Sequence, residues 1–240
     1  MILYFFICNF NMNYLVTYEP SETKMRLGNV NDGGYVIIDN YDYDCYLSCG
    51  ISDNFTFDLD FIKYRPNVPG HAFDGTIEMP EQFPSEIKFN KMMIGPTNTS
   101  TTTNMHEYLD TYKNVFLKMD IEGSEWKWFL GMTSDQQKSL KQIVVEFHGL
   151  FDNKWQSTVE EKKQVLKNLS ETHWLVHVHG NNNGPNNGVP WVIECTYIRK
   201  DATVNGLNKT PFPIALDSPN DLNKPEHVLT KWPFVHNVEL

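Results

Sequence analysis

The stretch Val115-Phe116-Leu117-Lys118-Met119-Asp120-Ile121-Glu122-Gly123-Ser124-Glu125-Trp126 decides how the rest of this 240-residue chain is read. A short apolar strand runs into two carboxylates one residue apart. Gly123 then releases the chain, and Ser124 opens an amphipathic helix. Open α/β sheets bind ligands beyond the carboxyl ends of their strands, so acidic side chains at this exit mark a site. Glu125, in the helix's first turn, is read as a favourable charge toward the helix dipole.

The segments on either side follow the same grammar. Upstream, the turn Asp32-Gly33-Gly34 leads into a strand from Tyr35 to Ile38, and a short buried strand from Cys45 to Cys49 stops at Gly50. Residues 54–64 have helical spacing and end at Pro66. His71–Asp74 reads as a strand turning at Gly75, Lys88–Ile94 as another stopped by Gly95-Pro96, and Thr101–Tyr112 as a helix with Thr or Asn caps. Downstream, Ser124–Leu140 is helical with a break near Gly131, Gln142–Phe147 is a strand, and Ser157–Glu171 is a helix with a charged outer face. Strands follow at His173–His179 and Trp191–Arg199, separated by the Asn- and Gly-rich loop Gly180–Pro190.

Strands alternating with helices predict an α/β three-layer sandwich around a mostly parallel sheet. The last two strands, with no helix between them, predict an antiparallel hairpin at one edge. The length suits one domain over residues 1–240, with residues 1–25 as an N-terminal packing segment. Met1–Phe10 is apolar but lacks a basic flank, a small-residue cleavage site and the length of a membrane span. The tail over 210–240 carries five prolines (Pro211, Pro213, Pro219, Pro225 and Pro233) yet keeps Phe212, Leu216, Trp232 and Phe234, which predicts an ordered wrap or lid.

A formal net charge of −10 with no Lys/Arg cluster argues against nucleic acid or an anionic membrane as partner. Cys8, Cys45, Cys49 and Cys195 have no zinc-type spacing and read as free buried thiols in a reducing, cytoplasmic setting.

Four further strand ends carry polar clusters. In Ser48-Cys49-Gly50-Ile51-Ser52-Asp53 a single Gly admits close backbone approach. The full GxGxxG is missing, which suits a cationic ligand without phosphates. Phe73-Asp74 places an acid about 20 residues after that turn, where such folds bond a ribose diol. Glu146-Phe147-His148 puts Glu and His on one side of the chain by the period of two, and His177-Val178-His179-Gly180-Asn181-Asn182 does the same for two imidazoles. Asp120 and Glu122 can bind a cationic group, share a divalent metal, or hold a substrate hydroxyl. Histidines, carboxylates and amides in this number can build an acid–base site, a metal site, or both.

Arg26-Leu27-Gly28, Asp32-Gly33-Gly34-Tyr35-Val36, Gly50-Ile51-Ser52, Phe73-Asp74, Lys118-Met119-Asp120-Ile121-Glu122-Gly123-Ser124-Glu125, Glu146-Phe147-His148 and Leu216-Asp217-Ser218-Pro219-Asn220 together resemble the FkbM-like S-adenosylmethionine-dependent methyltransferases, from about residue 25 onward. The sequence departs from that pattern at Ser48-Cys49-Gly50, where a fuller acidic-Gly-x-Gly turn is reduced. The resemblance implies a class I methyltransferase, Rossmann-like fold with a seven-stranded sheet, S-adenosylmethionine as cofactor, and methylation of hydroxyl oxygens, often on sugars. It implies that Gly50, Ser52 and Asp53 lie along the methionine part of the cofactor. Asp74 then holds the ribose hydroxyls, and Asp120 closes the cavity near the sulfonium.

On this reading a small-molecule or glycan acceptor gives its proton to His148 or His179. Asp120, Glu122 and Glu146 position the acceptor diol directly or through Mg²⁺, with Asp120 and Glu146 as the metal ligands. The loop Asn181–Asn187 and the aromatics Trp126, Trp155 and Trp191 suit a carbohydrate. Three other readings compete. One is a metal-dependent glycosyltransferase with Asp120 and Glu122 holding Mn²⁺ and a nucleotide diphosphate. The second is a metallohydrolase built on His177 and His179, and the third a non-catalytic domain that retains the fold.

Overall fold

The computed structural model describes residues 12–154, 156–186 and 189–236; the expectations for Met1–Phe10, Cys8, Trp155, Asn187 and the last four residues lie outside these. The chain opens with a 3₁₀ turn, Met12–Leu15, and strand β1 (Tyr18–Pro20). A hairpin of β2 (Lys24–Leu27) and β3 (Tyr35–Ile38) follows, and then β4 (Cys45–Cys49). After α1 (Thr56–Tyr64) come β5 (Gly70–Phe73), β6 (Ile87–Asn90), and the two-residue strands β7 (Met93–Ile94) and β8 (Thr102–Thr103). The second half runs α2 (His106–Thr111), β9 (Val115–Met119), α3 (Glu125–Leu130), α4 (Ser134–Ser139), β10 (Leu140–Phe147), α5 (Val159–Thr172), β11 (His173–Gly180), β12 (Ile193–Arg199) and β13 (Val204–Leu207).

Seven strands form the main sheet in the order β11-β12-β10-β9-β4-β5-β6. All are parallel except β12, which runs antiparallel to both β10 and β11. This is the Rossmann-like class I sheet with its antiparallel edge hairpin. The chain moves outward from β4 through β5 to β6, then crosses back to lay β9 on the other side of β4. The carboxyl ends of β4 and β9 therefore flank the point where strand order reverses, the crevice in which such sheets bind ligands.

Side-chain alternation along the central strands builds two cores. Val115, Leu117 and Met119 face α2–α5, packing with Trp126, Phe129, Leu166 and Leu169. Phe116 faces the other way, into Phe57 and Phe61 of α1 and the hairpin residues Leu27, Tyr35 and Ile37. Tyr46 stacks on Phe61 there, with centroids 3.9 Å apart. Two helices on the first face, α4 and α5, start with capping boxes at Thr133/Gln136 and Thr158/Glu161, each satisfying two otherwise orphaned backbone N–H groups.

Two local expectations change, and two others gain detail. Tyr35–Ile38 is a strand as expected, and it lies outside the main sheet. It pairs only with β2, and the hairpin docks through Gln142, whose Oε1 accepts from Ile38 N (2.6 Å) while its Nε2 donates to Ile38 O (3.0 Å). The segment Lys88–Ile94 splits, because Met93–Ile94 leaves the sheet to pair with Thr102–Thr103. Threonines suited to a strand thus start the segment expected to be helical at Thr101. The helix begins at His106, whose N–H is taken by Asn104 Oδ1 (3.1 Å), after Met105 in the left-handed region (φ 56°). The Ser124–Leu140 segment breaks near Gly131 as expected, into two short helices separated by Gly131–Thr133.

The tail from Thr210 crosses the β11–β12 end of the sheet. Phe212 and Phe234 are buried, while Trp232 is 53% exposed. Cys45, Cys49 and Cys195 are free and buried. Among the described residues, no helix is long and apolar enough to cross a membrane.

Candidate active site

The turn after β4 and the turn after β9 are locked against each other. Gly50 N donates to Phe73 O (3.0 Å), and Asp120 N donates to Cys49 O (3.0 Å). Gly50 has φ 76°, and a Cβ there would lie 1.6 Å from the Asp120 carbonyl oxygen, so only glycine fits. The buried Lys118 reaches under both turns and donates from Nζ to the Gly50 carbonyl. Asp74 braces the same turn. Its Oδ2 accepts from Ile51 N and Ser52 N (both 3.0 Å), and its Oδ1 from Thr76 N (2.8 Å) and Thr76 Oγ1 (2.6 Å). Burial pushes this carboxyl up, but those four hydrogen bonds outweigh burial and hold it below the usual Asp range.

Above these turns lies a cavity of about 240 Å³, lined by Gly50, Ser52, Asp74, Thr76, Asp120 and Glu122 on its polar side and by Phe73, Met92, Met93, Ile94 and Ile121 on its apolar side. Four of the five expected cofactor residues, Gly50, Ser52, Asp74 and Asp120, line it. Asp53 does not. It is exposed, with Ser52 Oγ donating to it at 3.4 Å.

A second cavity, about 300 Å³, adjoins the first and is lined by Asp32, Asp120, Glu122, Glu146, His148, Asn181, Asn183, Gly184 and Val192. Asp120 and Glu122 are common to both cavities. Tyr35 OH donates to Asp120 Oδ2 (3.2 Å), so the β2–β3 hairpin contributes to the site from outside the main sheet. Burial dominates at Asp120 and raises its pKa to about 6, against the opposing charges of Lys118 and His148. Glu146 is raised well above the carboxylate range by burial and then by Asp120 and Glu194. Its Oε1 accepts from Asn181 Nδ2 (2.7 Å).

His148 stands among four carboxylates. Its Nδ1 lies 3.2 Å from Glu125 Oε1, and its Nε2 lies 3.4 Å from Glu122, 3.8 Å from Glu146 and 4.0 Å from Asp120. Burial opposes its charge, but the Glu125 hydrogen bond and the surrounding anions win and raise its pKa to about 9. At neutral pH the ring is therefore an imidazolium, a donor at both nitrogens. Glu125 was expected only to favour its helix dipole. It is instead fully buried, accepts from Ile121 N (2.9 Å) and orients His148.

His179 lies elsewhere, clamped by Glu194 of β12 (3.0 Å) and Glu226 of the tail (3.2 Å), and it lines neither cavity. Burial opposes its charge as well, and the Glu194 hydrogen bond leads the anions that raise it to about 9. His177 likewise bonds Asp217 of the tail (2.7 Å). Trp126, expected to face a sugar, is fully buried against Phe147 and donates from Nε1 to His148 O (2.7 Å).

Among the described residues, two groups of ligand-type atoms cluster within 4.8 Å: Asp120, Glu122 and His148, and separately Asp32, Glu146 and Glu194. The expected metal pair, Asp120 and Glu146, is thus divided between them. The contributions of Asp32, Tyr35 and Glu125 were not anticipated, although Asp32-Gly33-Gly34-Tyr35 and Glu125 stood inside the quoted motifs.

The tail and the loop after β11 fasten to one another beside the second cavity. Asn182 Nδ2 donates to Asp221 O (2.8 Å) and Lys224 O (3.1 Å), Lys224 Nζ to Asn183 Oδ1 (2.9 Å), and His227 Nε2 lies 2.9 Å from Gly184 O. Asn220 Nδ2 bridges Asp32 (3.0 Å) and Glu194 (2.8 Å).

Among curated proteins, none matches the chain. The profile of the methyltransferase FkbM domain matches residues 3–173, which hold every residue lining the first cavity and all four carboxylates around His148. That match favours the methyltransferase over the glycosyltransferase and metallohydrolase readings. The chain belongs to the FkbM-domain methyltransferase family.

Proposed function

We propose that this protein is an S-adenosylmethionine-dependent O-methyltransferase acting on a hydroxyl of a sugar or glycoconjugate. The observation that carries the reading is the pair of adjoining cavities with Asp120 and Glu122 in their common wall. The first cavity suits the cofactor. The Gly50 cradle leaves no room for a side chain, Asp74 lies where a ribose diol is held in such folds, and Met92, Met93 and Ile94 offer an apolar wall to an adenine. The bound cofactor would supply an electrophilic methyl group, and the chain's own residues then have three tasks.

The first is orientation, because a displacement needs the acceptor oxygen in line with the methyl group. Asp32, Asn181 and Asn183 present amide and carboxylate groups suited to a polyhydroxylated acceptor. Among the described residues, no Lys or Arg lines the second cavity, which disfavours an acceptor bound through its own anionic group. The second task is removal of the hydroxyl proton. His148, already protonated at neutral pH, is a poor acceptor, so the proton falls to Asp120, raised only to about 6, rather than to Glu146, which burial lifts well above the carboxylate range. The third is charge balance, which the His148 imidazolium supplies within a few ångströms of those carboxylates.

Calorimetric titration with S-adenosylhomocysteine tests the cofactor half. Binding by the wild type that is lost in Gly50→Ala supports it, and a wild type that fails to bind overturns it. A methyl-transfer screen over neutral sugars, amino sugars and phosphorylated sugars tests the acceptor half. Turnover of phosphorylated sugars alone would overturn the neutral-acceptor reading.

A further inference from the structure

We propose that Asp120, Glu122 and His148 form a divalent-cation site in the wall between the two cavities, selective for a metal that accepts an imidazole ligand, such as Mn²⁺, over Mg²⁺. The inference deepens the O-methyltransferase reading, but the site stands on its own geometry.

The three ligand atoms come from the turn after β9 and the end of β10 and lie within 4.8 Å of one another. This is not an acidic cluster alone. His148 is only 7% exposed, and its ring is fixed from behind: Glu125, with no exposed surface, takes Nδ1, which leaves Nε2 directed at Glu122 and Asp120. Carboxylate–histidine–metal relays have this form, the rear carboxylate fixing the tautomer and the ring orientation. Tyr35 OH fixes the Asp120 carboxylate in the same way through Oδ2.

A second observation points to a missing positive charge. Glu125 Oε2 is buried and finds no hydrogen-bond partner among the described residues. All of Glu125's hydrogen bonds described here are made through Oε1, the oxygen that faces His148 and Ile121 N. Asp120, Glu122 and Glu125 set three carboxylates around the imidazole against the single buried ammonium of Lys118, and a divalent cation in place of the Nε2 proton would balance them.

One imidazole with two carboxylates is a donor set for Mn²⁺, Fe²⁺ or Zn²⁺, whereas Mg²⁺ keeps to oxygen ligands and octahedral water. The side chain of Glu122 is 78% exposed, which gives the ion an entry path from the second cavity. A cation there would hold and acidify an acceptor hydroxyl. The released proton would leave to solvent through the second cavity, onto which the exposed Glu122 opens.

The test uses Mn²⁺ as probe on the purified, chelator-treated protein, with free Mn²⁺ read by its electron paramagnetic resonance signal. The wild type should bind about one Mn²⁺ per chain, and Mg²⁺ should displace it only at large excess. His148→Ala and Glu122→Gln should each weaken binding at least about 10-fold, and Glu125→Gln about 10- to 100-fold. Glu122→Gln changes an exposed side chain and keeps the test sound should His148→Ala fail to fold. Absence of Mn²⁺ binding in the wild type, or binding unchanged in Glu122→Gln and in folded His148→Ala, overturns the site. Displacement by equimolar Mg²⁺ overturns its selectivity. S-adenosylhomocysteine binding is titrated in parallel on the wild type. Failure of that ligand to bind the wild type would count against the methyltransferase reading and leave the metal result standing.

Discussion

Replacing Asp120 by Asn should make the metal-free protein more stable while removing a group that the proposed chemistry uses. Burial lifts the Asp120 carboxyl to about 6, from 3.8 for an ordinary Asp. The unfolded chain gives up this proton near the ordinary value, so above about pH 6 the native state carries an anion that the unfolded state bears more cheaply. At 1.36 kcal/mol per pH unit the penalty is ~3 kcal/mol. The side chain is 26% exposed, and hydration through the cavity trims the figure to ~2 kcal/mol. The penalty is nearly absent below about pH 4, builds between 4 and 6, and is complete above that. Asn keeps an oxygen to accept from Tyr35 OH, so geometry is retained. In chelator-containing buffer at about pH 7.5 the variant should melt ~4–8 °C above the wild type, and the gap should close toward about pH 4. Denaturant titration at both pH values gives the same comparison in free energy. A variant less stable than the wild type at about pH 7.5, or a gap that does not change with pH, would refute the account.

Further outcomes follow from the same contacts. Gly50→Ala forces a Cβ into the Asp120 carbonyl and a left-handed φ on alanine; S-adenosylhomocysteine affinity should fall by at least ~100-fold in calorimetry, with the far-ultraviolet spectrum retained. Lys162, fully buried, donates to Gly149 O and to Asp152 O (2.8 Å), so Lys162→Met should cost about 2–4 kcal/mol in a urea melt by orphaning both carbonyls. His179, raised to about 9 from 6.5, lends stability that is complete below about pH 6.5 and lost as pH rises through 9. His179→Gln should flatten the wild type's decline over that window and expose the tail near Glu226 to proteolysis at neutral pH, whereas unchanged cleavage would show that the Glu226 contact does not hold the tail.

What could be read from the sequence, and what could not, divides by range of interaction. The β9 exit was legible because everything that makes it is local: a strand-length apolar run, two carboxylates, a Gly, and a helix start. The antiparallel edge was legible because the chain between His179 and Trp191 has no helix. Glu125 was misread because its partner, His148, is 23 residues away on another strand, and nothing local separates a helix-dipole acid from a buried one. His148 and His179 looked alike in sequence. Only the tail, 47 residues beyond His179, shows that one is clamped by Glu226 while the other faces a cavity. The strand at Thr102–Thr103 depended on Met93–Ile94 leaving the sheet, a pairing between two segments too short to announce themselves.

The fastening of the tail to the loop after β11 has a consequence for how the enzyme can change. The residues lining the first cavity fall between Gly50 and Ser124, within the matched family region, and their geometry tolerates little: a single Cβ at Gly50 collides. Asn181, Asn183 and Gly184 of the second cavity, with the strap Asn220–His227 that holds them, lie beyond residue 173 and join largely through hydrogen bonds between amides, backbone and surface lysine. Substitutions in the C-terminal segment would therefore reshape one side of the second cavity while leaving the Gly50 turn and the first cavity in place; on the proposed function, that changes the acceptor without touching the cofactor wall.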